Sequence, residues 1–373
     1  MALLVYFLTG SAAWLGYLTL ARAVPLLIVS PISGALADRF EKKTLIQLAS
    51  VADVMIAAGI GVSLTVGYLS PDNPGSWFFL VAMAFCDGIS TVFKGPSTDA
   101  MIIEIVGDKL VTNAIALNLV GQNTLRLIGP VLAGVAIDAY GYEPIYYAMA
   151  VIYAVSFIFM IFVPYTGRGN TKVGSNIFAD ISDVLKYMRQ ERNVLYVLVV
   201  VLCMVFFSMP YQSLLPVFQD VLNIRATELG VLQLVSGLGS IIGAIILASR
   251  TGNKKRGLWM LVAGLILGLS LVFFSFSTIW ILSIVFMVGV GLGQAGRMTL
   301  PVALLQTYTK PEYRARVMSF YGVEFGLSSF GSFFAAILVA AIGVQWSVGG
   351  MALILVVLSV AALLFMPRLR KLD

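Results

Sequence analysis

The sequence predicts an all-α membrane protein built as two helical bundles, and three observations carry that prediction. The first is composition: 60% of the residues are hydrophobic and only 11% charged, with a mean hydropathy of +0.96. Soluble domains carry roughly 25% charged residues. The second is that apolar runs of about 20 residues, the length a helix needs to cross hydrocarbon, recur from one end to the other. Lipid satisfies no exposed backbone polar group, and spanning barrels show short alternating segments instead, so these runs must be helices. The third is charge placement, since 19 of the 24 Lys and Arg residues fall in alternate inter-span loops.

Taken in order, the chain opens on an apolar stub, Met1–Leu8. It is too short to cross and reads as the last two turns of a helix whose start is absent. A signal peptide is the other reading, but the stub has no basic leading region and its apolar run is short. Eleven complete spans follow: Trp14–Ala37, Leu45–Leu69, Trp77–Phe93, Val111–Ala139, Ile145–Val163, Leu195–Val217, Leu229–Ala248, Leu258–Ser275, Ile279–Leu305, Met318–Ile342 and Val348–Met366. The loops on the Arg39 side hold the 19 cations, whereas the opposite loops hold only Arg225. Positive residues mark the cytoplasmic side, so the C-terminus is expected inside, in a multi-pass protein of the inner (plasma) membrane. The longest polar interruption, 164–193, divides an N-terminal bundle (1–163) from a C-terminal one (194–373). Within it, Phe178, Ile181, Leu185 and Met188 fall near helical spacing and predict an interfacial helix.

Several function classes drop out here. The net charge of +6 belongs to these loops and signals orientation, so no nucleic-acid partner is expected. Cys86 and Cys203 both lie in apolar segments and the chain has no histidine, which argues against a disulfide framework or a metal site. Proton handling must then fall to carboxylates. Gly291-Leu292-Gly293-Gln294-Ala295-Gly296 matches a dinucleotide fingerprint by letters, yet it follows no strand and lies in an apolar span, which makes it a helix-packing site. No phosphate loop, catalytic triad or cofactor motif is present, and the chain is not expected to be an enzyme.

The most specific motif is Gly34-Ala35-Leu36-Ala37-Asp38-Arg39-Phe40-Glu41-Lys42-Lys43. Gly34 allows close helix approach, and Asp38 suits a helix N-terminus while Arg39, Lys42 and Lys43 hold the turn. The run resembles the loop signature of the major facilitator superfamily, with Glu41 where that signature has a second glycine. The resemblance implies the major facilitator fold of two six-helix bundles. It also implies a gating role in which Asp38 docks near Arg314–Met318 and Lys42 reaches Asp99. Gly121, Gly129, Pro130 and Gly134 resemble the antiporter motif of exporters in that superfamily, in the branch of macrolide, siderophore and multidrug exporters. Ala133 stands where a glycine is usual.

Asn118, Gln122 and Arg126 share one face of that fifth helix. An intramembrane Arg normally faces protein or a watery cavity, so this face either lines the central cavity or bonds a free carbonyl. Asp53, Asp87 and Glu324 lie inside spans, where each must be protonated, paired or hydrated. Asp87 is placed to pair with Arg126 on the next helix, while Glu324 has no obvious partner. Gln294 and Arg297 complete the set of polar anchors. The expected function is proton-coupled efflux of hydrophobic or amphiphilic small molecules by alternating access. It would need no cofactor beyond the proton gradient, no partner beyond substrate and bilayer, and, by resemblance, only a monomer. A nutrient or lipid facilitator or symporter is the alternative, and a non-transporting truncated membrane protein is another.

Overall fold

The computed structural model describes residues 1–39, 41–106, 110–163, 187–249 and 255–373, without the side chains of 29–39, 96, 99–100, 103–104, 112, 315 and 319. Every element among the described residues is helical, as an apolar chain without aqueous partners for its backbone requires. The chain divides into two units, Met1–Val173 with Arg225–Gly230, and Gly174–Ile224 with Val231–Asp373.

The first unit holds α1 (Ala2–Thr9), α2 (Ala12–Arg39), α3 (Lys42–Thr65), α4 (Trp77–Val106), α5 (Val111–Tyr140) and α6 (Glu143–Phe162). Its main packings are α2 on α4 and α3 on both α4 and α6. Gly88 explains the closeness of α2 and α4: a Cβ there would stand 2.4 Å from the Arg22 carbonyl oxygen, so only glycine lets the backbones meet. Trp14 packs edge-on against Trp77 (5.4 Å) and Phe78 (5.1 Å) near the starts of these helices, the aromatic pairing typical of a membrane interface. At the other end Lys43 Nζ donates to the carbonyls of Ile161 (2.9 Å) and Val163 (2.7 Å). It thereby supplies a cation to the unpaired C-terminal carbonyls of α6. In contrast α5 is largely exposed along its length.

The second unit contains α7 (Arg192–Ser208), continued by short turns to Leu222, and α8 (Ala226–Ser249), whose first residues cluster with the first unit. Then come α9 (Arg256–Phe276), α10 (Trp280–Tyr308), α11 (Pro311–Tyr321), α12 (Glu324–Phe365) and α13 (Pro367–Arg370). Helix α12 is two spans in one, broken at Gly343, whose φ of 78° is the left-handed conformation glycine adopts freely. Nine helices among the described residues are long and apolar enough to cross a bilayer. The break in α12 and the apolar start of α2 bring the spans to the eleven the sequence predicts. Gly291, Gly293 and Gly296 face Ser236, Leu267 and Ala263 at distances no Cβ would fit. Those three glycines are packing positions on α10, as read from the sequence.

Of the predicted interfacial helix only the end lies within the described residues, and 187–190 are helical. Tyr187 and Met188 are buried while Arg189 and Gln190 are exposed. Tyr187 stacks on Tyr313 at 4.2 Å and its hydroxyl accepts from the Lys310 backbone N–H at 3.0 Å.

Candidate functional site

Among the described residues three ion pairs lie inside the spans, and Asp53, Asp87 and Glu324 each belong to one. In the first unit Arg22 Nε meets Asp87 Oδ2 at 2.7 Å. Each residue is ten positions past the start of its helix, Ala12 and Trp77, hence about 15 Å along the axis. The side chains stay 57% and 30% exposed. Charges so placed at mid-bilayer depth demand water or protein around them rather than lipid.

One turn further along α4, Ser90 donates to Asp53 Oδ1 at 2.6 Å and Lys94 Nζ to Asp53 Oδ2 at 2.7 Å. The same ammonium sits 5.4 Å from the Tyr153 ring centroid, close enough for a cation–π contact. Both Asp53 oxygens are engaged, and α3, α4 and α6 are thereby tied together.

The third pair is drier. Arg297 Nη1 donates to Glu324 Oε2 at 3.2 Å, with side chains only 4% and 10% exposed. Glu324 opens α12 immediately after the interruption at Gly322–Val323, so its carboxylate also meets the positive end of a helix dipole. Arg297 Nε and Gln294 Oε1, one turn apart on α10, have no hydrogen-bond partner among the described residues.

Two sequence expectations are corrected here. Asp87 pairs with Arg22 and not with Arg126. Helices α4 and α5 are consecutive but touch only lightly, whereas α2 packs along α4. Glu324 does have a partner, Arg297, which approaches from α10. Arg126 makes no hydrogen bond or ion pair among the described residues; it and Gln122 are exposed, and Asn118 is half-buried.

The antiporter-like motif resolves into unequal parts. A Cβ at Gly134 would lie 2.4 Å from the Ala226 carbonyl oxygen, and one at Gly230 would lie 2.5 Å from that of Pro130. The two glycines thus let α5 and the first turn of α8 touch backbone to backbone. Gly121 and Gly129 face open space. Asp138, which sequence reasoning missed, fixes the same contact. It accepts from the Ala226 N–H (3.3 Å), the Thr227 N–H (2.9 Å) and the Thr227 hydroxyl (2.6 Å), capping α8 from outside its own chain segment. Nearby, Tyr142 donates to the Leu3 carbonyl at 3.4 Å and packs on Phe7 at 5.0 Å. Burial pushes its phenol up to about 12, which keeps the hydroxyl a donor.

For the loop motif, the side chains of Gly34, Asp38, Arg39 and Asp99 lie outside the described residues, as does the predicted Lys42–Asp99 contact. Lys43 is the member whose role is visible, on the end of α6.

The sequence matches the family model described as Major Facilitator Superfamily over residues 1–327 and 247–373. Macrolide efflux protein A of Streptococcus pyogenes is 25% identical over 100% of this chain and 92% of its own length. The Staphyloferrin A transporter of Staphylococcus aureus (strain NCTC 8325 / PS 47) is 22% identical over 90% of this chain and 83% of its own. Among solved structures, a bacterial homolog to the human lysosomal transporter Spinster superposes with a TM-score of 0.76. It has 12% identity and covers 96% of this chain and 90% of the other.

Proposed function

The chain belongs to the Major Facilitator Superfamily, and from that premise we propose that it exports hydrophobic or amphiphilic small molecules by proton-coupled alternating access. The observation that carries this reading is the match to a macrolide efflux protein along the entire chain. On this reading the protein sits in the plasma membrane with its C-terminus in the cytoplasm. It works as a monomer, needs no cofactor, and draws its energy from the proton gradient.

Asp87 is the proton carrier in this scheme. Of the three paired carboxylates it is the most exposed, its partner is more exposed still, and charges at this depth require water or protein around them. A proton arriving on Asp87 neutralises the carboxylate and releases Arg22, which changes the interaction between α2 and α4. Glu324 is held dry against Arg297, and Asp53 has both oxygens engaged; each would have to break its contacts to accept a proton. Arg126 favours a second reading of the substrate. A cation midway along α5 that makes no ion pair among the described residues suits a substrate with an anionic group, and the Staphyloferrin A transporter stands among the relatives.

The test uses inside-out vesicles energised to an acid lumen. Erythromycin and a panel of lipophilic dyes should accumulate, a protonophore should abolish accumulation, and Asp87→Asn should remove the gradient dependence. Transport by Asp87→Asn that still follows the gradient would exclude Asp87 as carrier. Failure of every panel member to move in the unmodified protein would overturn the exporter reading.

A further inference from the structure

An apolar recess of about 260 Å³ remains on the second unit, away from the ion pairs. It runs between α7 and the end of α12, with Val199, Cys203, Met204, Leu358, Ala362 and Phe365 among its walls. Inside a bilayer such a slot opens onto hydrocarbon, so its natural occupant is an acyl chain.

One end of the recess is crowned with cations. Arg192 opens α7 and lies seven and eleven residues before Val199 and Cys203, spacings that return to the same helix face. From the other wall, Met366 leads directly into α13, which packs on α7 and α9. Leu369 of α13 is fully buried, and this anchor leaves Arg368, Arg370 and Lys371 exposed. Arg370 is steered back over the last turn of α12, where Nη1 donates to the Leu363 carbonyl at 3.2 Å. Among the described residues the acids at this end are Glu191, half-buried, and Asp373, whose carboxylate accepts from the Lys255 backbone N–H. Cations therefore predominate where a lipid headgroup would sit.

We propose that this recess is a binding site for an anionic phospholipid, one acyl chain in the slot and the phosphate among Arg192, Arg368 and Arg370. On the orientation proposed above, the lipid comes from the cytoplasmic leaflet, where anionic headgroups attract juxtamembrane cations. None of the recess walls belongs to the three described ion pairs, and the proposal stands or falls independently of the transported substrate.

The test measures lipid binding to the purified full-length protein in detergent, by native mass spectrometry. Phosphatidylglycerol and phosphatidylcholine of identical acyl chains are compared. The protein should retain phosphatidylglycerol preferentially. The triple variant Arg192→Gln, Arg368→Gln, Arg370→Gln should lose about fivefold in affinity per cation, on the order of a hundredfold together. A triple Arg→Lys variant keeps the preference and shows that charge, not loss of fold, is being read. Ala362→Trp, which fills the slot, should weaken both lipids. Soluble glycerophosphate should compete poorly, because it lacks the chain. Equal retention of the two lipids by the unmodified protein would overturn the proposal, as would a preference that survives in the glutamine triple or lipid binding unaffected by Ala362→Trp.

Discussion

Arg297 and Glu324 form the driest charged pair in the described structure, and their behaviour on substitution follows from what each leaves behind. Glu324→Gln keeps the shape but strands a buried guanidinium, a loss of about 3–5 kcal/mol when a buried pair is broken on one side. The double replacement Arg297→Met with Glu324→Leu strands nothing and should recover most of that stability, since apolar residues of similar volume often match a buried pair. Thermal unfolding in detergent distinguishes the two; a double variant as unstable as the single would show that the pair holds the fold by more than charge neutrality. The acids in these pairs were legible in the sequence because a carboxylate inside an apolar span is conspicuous. Their partners were only partly so. Arg22 and Asp87 stand at equal depth in parallel helices, and counting from each helix start would have matched them. Preferring the neighbour in sequence, Arg126, gave the wrong partner. Lys94 was not legible as the partner of Asp53, because nothing in a single sequence shows that α3 and α4 turn the two toward each other.

Glycine substitution probes the elements, because the same residue type does unlike work at different positions. Gly88 is where α2 and α4 touch, and Gly134 is where α5 meets the start of α8, each within 2.4 Å of a facing carbonyl oxygen if given a Cβ. Alanine at either must push two backbones apart, a cost of about 1–3 kcal/mol typical of overpacking. At Gly88 it should also pull Arg22 off Asp87 and so impair gradient-driven transport along with stability. Gly121 has open space around it, and Gly121→Ala should instead stabilise by up to about 1 kcal/mol through helix propensity. Unfolding midpoints of the three variants give the order directly; a loss at Gly121 comparable to that at Gly134 would contradict the division of the motif. The motif's existence was legible in the letters, but its working half was not. Which glycines carry contacts depends on the rotation of α5 and on Asp138 capping α8, a residue that no local pattern marks. The break of α12 at Gly343 was readable, since the expected spans end at Ile342 and resume at Val348.

At the scale of the whole molecule, the distribution of charge makes a topological prediction that the packing alone does not. Spans of suitable length and their two-unit grouping are symmetric with respect to the membrane; only the asymmetry of Lys and Arg selects an orientation. At this scale the helical spans were the most legible feature, because they depend on counts over many residues rather than on any one contact. Legibility was lowest where a segment departs from its helix, as when Arg225–Gly230 clusters with the first unit although α8 continues into the second. The orientation is tested by single cysteines introduced after Cys86 and Cys203 are replaced. Asp72, Thr278, Lys310 and Lys371 are exposed between or beyond spans, and the order of the spans assigns the first two to one side and the last two to the other. With a membrane-impermeant maleimide, cysteines at 72 and 278 should label in intact cells, and those at 310 and 371 only in inside-out vesicles. Labelling of position 371 from outside would invert the protein. The recess crowned by Arg192, Arg368 and Arg370 would then face the outer leaflet, and the acid-lumen vesicle assay would probe the opposite direction of transport. The four labels thus fix the frame in which both the exporter reading and the source of the bound lipid are stated.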